Sequence, residues 1–177
     1  MMVDHLRIFS GKIALTPFIL GCLVASTSAG AAYDANDVAL GASEKAIVGQ
    51  FPSAHCKPLE WTSKAADRRC DDARISFGGV EARITFYLRS NAVQAFDVRF
   101  DSRDAERVVS FLKTRYGAPV AETREKPVRE GKSAREIYKL RWEEGRDRAV
   151  LTAHQDRRRA LLSVSRGDFE EEIYRVR

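Results

Sequence analysis

The sequence predicts an α+β fold made of two tandem helix-plus-antiparallel-β-meander units with one intramolecular disulfide. Two short stretches with helically spaced apolar residues each end at a proline, Pro52 and Pro119. Each stretch is followed by segments in which apolar and polar residues alternate, which is typical of a sheet with one solvated face. We expect repeat-like halves at about 38–100 and 101–166, followed by a C-terminal tail at 167–177.

Residues 1–31 have the composition of a signal peptide. Basic residues precede an apolar, uncharged run at 13–25, and small residues follow it. Ala29 and Ala31 stand in the A-x-A relation that signal peptidase requires, because its pocket accepts only small side chains. We expect cleavage after Ala31, with Ala32 as the second choice. The mature chain, 32–177, is then a single α+β domain.

Two other interpretations of this N-terminal segment remain. An uncleaved membrane anchor needs roughly 20 apolar residues, whereas this run is shorter and contains Pro17. The stretch "ILGC", which ends at Cys22, resembles a lipobox, so a mature protein anchored by a lipid on Cys22 is the alternative. We expect a periplasmic or secreted protein with no transmembrane span in the mature chain.

Cysteine usage fits an oxidising compartment. Once Cys22 is removed or lipidated, Cys56 and Cys70 remain, and they are expected to form one disulfide. Closing a loop of about 15 residues stabilises a fold by roughly 3 kcal/mol in the chain-entropy model. A zinc site needs more ligands at closer spacing, such as C-x-x-C, so neither a metal nor a cofactor is expected.

The helix boundaries carry specific signals. Ser43 is placed to accept a free N–H at the start of the first helix, and Asp101 or Ser102 does so for the second. Gly117 is a typical residue just past a helix end. The tail is amphipathic at helical spacing through Phe169, and we expect it to pack back on the domain.

Each half contains three segments with strand alternation. In the first half these are 73–77, 80–88 and 92–100, and in the second half 134–142, 148–155 and 159–166. Residues 122–133 are charged and include a proline and a glycine, so we predict a mobile loop there.

Two stretches carry a family resemblance: "LGASEKAIVGQFP" and "RYGAP", each of which precedes a β-meander. This plan resembles the SmpA/OmlA-type outer-membrane assembly lipoproteins and the β-lactamase-inhibitor-protein fold with its tandem helix-plus-sheet repeats. It also looks like many small secreted bacterial proteins of no assigned function. The resemblance covers most of 38–166 and implies a binding or scaffolding role in the cell envelope, but no functional residue is carried over.

The sequence shows no catalytic constellation. It has no G-x-S-x-G and no glycine-rich phosphate loop. The mature chain has two histidines, His55 and His154, and a nucleophilic pair with Cys56 would need a free thiol. We therefore expect a protein that is not an enzyme, with a hydrolase lacking a recognisable motif as a further alternative.

Basic residues concentrate in the second half. The whole chain has a net charge of +5, and residues 113–159 contain fourteen Lys/Arg against eight Asp/Glu. Export argues against nucleic acid as the partner. The candidate surface for an anionic partner consists of Arg135, Lys139, Arg141, Arg157, Arg158 and Arg159.

The predicted function is a non-catalytic exported envelope protein that binds another protein or an anionic envelope component. The alternative is an inhibitor or chaperone-like module that uses the concave face of the sheet, with Tyr87 or its neighbours as the anchor. The sequence does not predict the oligomeric state or the identity of the partner.

Overall fold

A computed structural model describes residues 33–126, 136–173 and 175 of the chain. The protein is a mixed α+β structure that consists mostly of antiparallel sheet, as the sequence predicts at this coarse level. The described strands are β1 (Asp34–Ala35), β2 (Val38–Ala39), β3 (His55–Pro58), β4 (Arg68–Phe77), β5 (Val80–Arg89), β6 (Ala92–Phe100), β7 (Ala121–Glu125), β8 (Ile137–Glu144), β9 (Asp147–His154) and β10 (Arg159–Arg166). The described helices are α1 (Glu44–Gln50), α2 (Ala105–Tyr116) and α3 (Phe169–Glu172).

Eight strands form one sheet in the order β3-β4-β5-β6-β10-β9-β8-β7. Strands β3 to β6, before α2, occupy one half of this sheet, and strands β7 to β10, after α2, occupy the other, while β1 and β2 form a separate two-stranded sheet. The two halves meet where β6 and β10 pair antiparallel, from Phe100 opposite Ala160 to Ala95 opposite Ser165. The sequence predicts three strands in each half, and the additional strands of this sheet are the two at its edges, β3 and β7.

Tight turns connect the strands of the first half. Gly78 and Gly79 link β4 to β5 with φ of +58° and +78°, and Ser90 and Asn91 link β5 to β6 with φ of +49° and +62°. Two central residues with positive φ give a turn whose twist matches that of the flanking strands.

The main core lies between one face of the sheet and helices α1 and α2. We call this face the inner face. The ring of Phe51, just after α1, lies 5.3 Å from Phe86 in β5, and Tyr116 at the end of α2 lies 6.1 Å from Trp142 in β8. The fully buried side chains of this core include Ile47, Phe77, Phe86, Phe96, Leu112, Leu140, Leu151 and Leu162.

The two long helices begin as their sequences predict. The Ser43 hydroxyl accepts the Ala46 N–H at 3.3 Å. Asp101 accepts the Arg103 N–H at 2.9 Å and begins a short 3₁₀ turn, Ser102–Asp104, that leads into α2.

The N-terminal hairpin of β1 and β2 is fastened to α2 by an arginine. The Arg115 guanidinium donates to both carboxylate oxygens of Asp34 and, at 2.6 Å, to Asp37. These bonds raise the pKa of Arg115. The Tyr116 hydroxyl also donates to the backbone oxygen of Asp34.

The predicted disulfide is confirmed. Cys56 in β3 and Cys70 in β4 lie directly opposite each other, with Cα atoms 3.9 Å apart. The bond therefore ties the edge strand β3 to its neighbour, and it closes the segment between two adjacent strands.

The prediction of a mobile loop at 122–133 is wrong over its first part. Ala121–Glu125 forms β7, an exposed edge strand paired with β8. Its residues lack the alternation of a buried strand because, at the edge of the sheet, little of either face is covered. Polar contacts hold it instead, since Glu122 accepts from Tyr138 at 2.6 Å and from Lys113 at 3.1 Å.

Several predicted features lie outside the described residues. These are the signal peptide with its cleavage positions Ala31 and Ala32, the alternative lipidation site Cys22, residues 127–133 of the predicted loop, and Arg135.

Candidate functional site

The second face of the sheet, which we call the outer face, carries a group of exposed basic side chains. Alternation along the strands places Arg83 of β5, Arg99 of β6, Lys139 and Arg141 of β8, and Arg159 of β10 on this face. Their neighbours along each strand point into the core. We call these five residues the basic outer face.

Cross-strand register aligns part of this group in one row. Arg83 is opposite Arg99, Arg99 is opposite Leu161, and Thr152 lies between Leu161 and Lys139. With neighbouring strands about 4.8 Å apart, the row runs roughly 14 Å from Arg99 to Lys139. The basic outer face therefore spans both halves of the sheet.

Two of the five residues of the basic outer face form ion pairs with acidic side chains. Arg99 pairs with Asp97 at 3.2 Å and Arg141 with Glu143 at 3.5 Å. Within the described part of the chain, Arg83, Lys139 and Arg159 make no ion pair. The five residues thus carry more positive charge than their ion-pair partners neutralise.

The structure brings together only part of the predicted anionic-partner surface. Lys139, Arg141 and Arg159 share the outer face, whereas Arg157 and Arg158 lie in the turn between β9 and β10. Arg157 is 3.9 Å from Asp156, and Arg158 has a left-handed backbone with φ of +50°.

Two members of the basic outer face were missing from the predicted surface, Arg83 and Arg99. Their alternation with buried residues in 80–88 and 92–100 marks them as outward-facing in the sequence. The missing information is the order of strands, because only the pairing of β6 with β10 puts them beside the second half.

Asp97 lies near the centre of the outer face and is largely buried. Its side chain is 14 % exposed, between Arg99 on its own strand and Ser163 opposite in β10. Burial of the carboxylate raises the pKa of Asp97, although a hydrogen bond from Ser163 and the charge of Arg99 act in the other direction. The negative charge of Glu170 adds to the rise.

The C-terminal helix covers one end of the outer face. The predicted return of the tail is confirmed, since Phe169 and Ile173 are buried in a small cluster with Tyr87 and Ala95. The Trp61 indole N–H donates to the Ile173 carbonyl at 2.9 Å, which fastens the tail.

The suggestion that Tyr87 anchors a partner does not fit this arrangement. Tyr87 faces the outer side but is only 6 % exposed, because α3 lies over it. The sequence shows which face the side chain takes but not that the tail occupies it.

The two histidines lie far apart, and the three neighbouring groups that could bind a metal already have bonding partners. His55 in β3 and His154 in β9 are separated by four strands. The ligand atoms of Glu44, Cys56 and Cys70 lie within 4.8 Å of one another. The two sulfurs are bonded to each other, and Glu44 accepts two N–H groups of Arg68 at 2.7 and 2.9 Å.

A cleft of about 270 Å³ lies beside the aromatic residues Tyr33, Tyr116 and Trp142. Burial raises the pKa of Tyr33 to about 12, and the charges of Glu144, Asp147 and Glu143 add to this. The rings themselves are buried, and the Trp142 N–H donates to the Gly117 carbonyl at 2.9 Å. These three rings belong to the main core.

Comparison with protein-family models, with curated proteins and with solved structures finds no match to this chain. Among residues 33–126 and 136–173, no helix has the length and apolar character needed to cross a bilayer.

Proposed function

We propose that this chain is a non-catalytic exported protein of the cell envelope, and that its basic outer face binds an anionic envelope component. The observation that carries the proposal is the convergence of five exposed basic residues on one face of the sheet, three of them without an ion pair among the described residues. A positively charged surface attracts an anionic partner over distances beyond direct contact.

The proposed location depends on the N-terminal segment and the disulfide. Residues 1–31 act as the signal peptide, and the mature protein is periplasmic or secreted, with a lipid anchor on Cys22 as the alternative. The disulfide between Cys56 and Cys70 supports this location, since such bonds persist mainly in oxidising compartments.

The protein-binding alternative is kept because of the order of the elements. Helix α1 precedes β3 to β6 and α2 precedes β7 to β10, and the sheet order is mirrored about the β6–β10 pair. This order favours tandem helix-plus-sheet units, the plan of the protein-binding families that the sequence resembles. A protein partner of this kind would present an acidic surface to the basic outer face.

Vesicle binding tests the anionic-component proposal. The double variant Lys139→Glu/Arg159→Glu reverses two charges of the basic outer face, and Lys45→Glu/Arg107→Glu makes the same change on exposed positions of α1 and α2. Each basic residue near an anionic membrane contributes about 1 kcal/mol, so the first variant should bind phosphatidylglycerol vesicles at least about tenfold more weakly than wild type. The control should retain most of the binding.

An equal loss in both double variants would mean that overall charge, rather than this face, governs binding. Wild-type protein that sediments with neither phosphatidylglycerol vesicles nor envelope extracts contradicts the proposal. Capture of an acidic protein through the same face, without vesicle binding, would favour the protein-binding alternative.

The N-terminus is tested by fractionation and intact mass. Export predicts a periplasmic or secreted product that begins at Ala32 and carries no lipid. A diacylated product that begins at Cys22 establishes the alternative, and full-length protein in the cytosol contradicts both.

A further inference from the structure

Arg83 and Arg99 lie directly opposite each other on adjacent strands of the outer face. Cross-strand neighbours on one face have Cβ atoms about 4.5–5.5 Å apart, so both guanidinium groups reach the same region above the sheet. Both side chains are exposed, and none of the described residues forms an ion pair with Arg83.

This pair works against the stability of the sheet. Like charges directly opposite each other on a sheet destabilise it. Among the described residues, Asp97 is the only acidic residue that forms an ion pair with either arginine, and it pairs with Arg99. At least one positive charge is therefore uncompensated, and an anion bound between the two guanidinium groups would remove the repulsion.

Asp97 fixes Arg99 from one side. Its buried carboxylate accepts from Nη2 of Arg99 at 3.2 Å and is itself flanked by Ser163. A guanidinium group has five N–H donors in a rigid plane. The remaining donors of Arg99 make no hydrogen bond with the described residues, so the group is oriented and still able to bind.

The number of N–H donors on the two guanidinium groups favours a phosphate over a carboxylate as the bound group. One guanidinium group can satisfy both oxygens of a carboxylate through two parallel hydrogen bonds. Two guanidinium groups that approach from neighbouring strands need more acceptor oxygens, in more than one plane. The tetrahedral oxygens of a phosphate group provide them.

We propose that Arg83 and Arg99 form a phosphate-binding pair, so that the anionic component is recognised through a phosphate group rather than through a carboxylate. This inference depends on the proposed function, because it assigns the ligand chemistry of the same basic outer face. Asp97 is the positioning residue for Arg99, while Lys139, Arg141 and Arg159 supply general attraction.

The experiment compares two vesicles of equal surface charge, one with phosphatidylglycerol and one with oleate in phosphatidylcholine. The variants are Arg83→Gln and Arg99→Gln, and Arg107→Gln is the matched control with the same loss of charge on the exposed side of α2. Because hydrogen bonds to charged groups are worth about 1.5–3 kcal/mol, wild type should prefer the phosphatidylglycerol vesicles about tenfold or more. Both outer-face variants should lose this preference, and the control should keep it.

Titration with inorganic phosphate, followed through the arginine side-chain NMR signals, identifies the source of the phosphate. Shifts of the Arg83 and Arg99 signals with free phosphate, but not with acetate, assign binding to the phosphate group itself. Preference for the phosphatidylglycerol vesicles without such shifts assigns it to the lipid headgroup. Both results support the pair.

Equal binding of wild type to the two vesicles overturns the phosphate-binding pair and leaves the proposed function in place. Retention of the preference in both variants overturns it as well. Failure of wild type to bind either vesicle overturns the proposed function and this inference together.

Discussion

The ring of Phe169 packs on the ring of Tyr87, with centroids 5.4 Å apart and ring planes inclined at 49°. This contact closes one end of the outer face and joins the tail to β5 near the C-terminal end of the strand. Both rings belong to the second, smaller apolar cluster, which lies on the opposite side of the sheet from the main core.

Replacing Phe169 with alanine should detach the tail. The substitution removes a buried ring and leaves Tyr87 uncovered, so we expect the free energy of unfolding to fall by about 3 kcal/mol. Urea denaturation measures the loss, and Tyr87 should become accessible to iodination. Glu171→Ala, an exposed change on the same helix, should stay within about 0.5 kcal/mol of wild type. An unchanged urea midpoint for Phe169→Ala would show that the tail does not contribute to stability.

Loss of the disulfide should weaken the β3 edge of the sheet. The bond joins residues 14 positions apart on neighbouring strands. We expect Cys56→Ser/Cys70→Ser to reduce the free energy of unfolding by about 3 kcal/mol. Urea unfolding of wild type with reductant should give the same loss, and a midpoint unaffected by reductant would contradict the expectation.

The glycine turn between β4 and β5 allows a matched comparison. A Cβ atom at Gly78 would lie 3.0 Å from Cγ of Phe111, whereas one at Gly79 would have no neighbour within 4 Å. Both positions have positive φ, which costs a residue other than glycine about 1–2 kcal/mol. Gly79→Ala should show this cost alone, and Gly78→Ala should lose roughly 1–3 kcal/mol more through the close contact. Equal thermal unfolding temperatures for the two variants would mean that the Phe111 ring moves aside freely.

Asp97 should make the free energy of unfolding fall as pH rises, whereas most carboxylates make it rise. Its raised pKa means that the folded protein holds the proton more tightly than the unfolded chain does. Its contribution to stability is therefore full below the unfolded pKa, near 3.9, and is lost as pH rises through the folded value. We expect Asp97→Asn to be more stable than wild type near neutral pH, and the difference to shrink on acidification.

Urea midpoints measured across this pH interval test the sign for Asp97. Glu81→Gln removes a carboxylate that is exposed outside this network and controls for the change in net charge. An Asp97→Asn protein that is less stable than wild type at neutral pH would show that the bonds to Arg99 and Ser163 outweigh the burial of the charge.

Arg115 should be essential for docking of the N-terminal hairpin. Its guanidinium group bridges Asp34 and Asp37, and the Asp34 side chain is mostly shielded from solvent. Arg115→Ala should lower the free energy of unfolding by about 2 kcal/mol, and Arg115→Lys by less, because lysine keeps the charge without the planar fork. Hydrogen exchange of the Leu40 N–H, which bonds to the Tyr33 carbonyl, reports detachment of the hairpin directly. Unchanged protection in Arg115→Ala would contradict this role.

Local chemistry explains which parts of this structure the sequence predicts. Alternation in 80–88 and 96–100 correctly separates the two faces, and Ser43 and Asp101 mark the helix starts, because these features depend on neighbouring residues only. The pairing of Cys56 with Cys70 follows from there being just two cysteines after the predicted signal peptide.

The remaining features depend on contacts between distant parts of the chain. The edge strand β7 has no buried face, so its sequence lacks a strand pattern. Tyr87 and Asp97 alternate as solvated residues do, yet the tail buries the first and the packing of β10 against β6 buries the second. Arg83 and Arg99 lie beside the basic residues of the second half only because β6 pairs with β10. That strand order depends on the sequence as a whole and not on neighbouring residues.

The pairing of β6 with β10 also affects how the molecule assembles. Strand β6 ends at Phe100, but its partner β10 begins at Arg159. The N-terminal half is synthesised first, so the backbone N–H and C=O groups along this edge of β6 stay unpaired until β10 is available. Contacts of such long sequence separation form slowly. A chain cut short before residue 159 would leave this edge of β6 unpaired, so we expect it to self-associate more readily than the full-length protein.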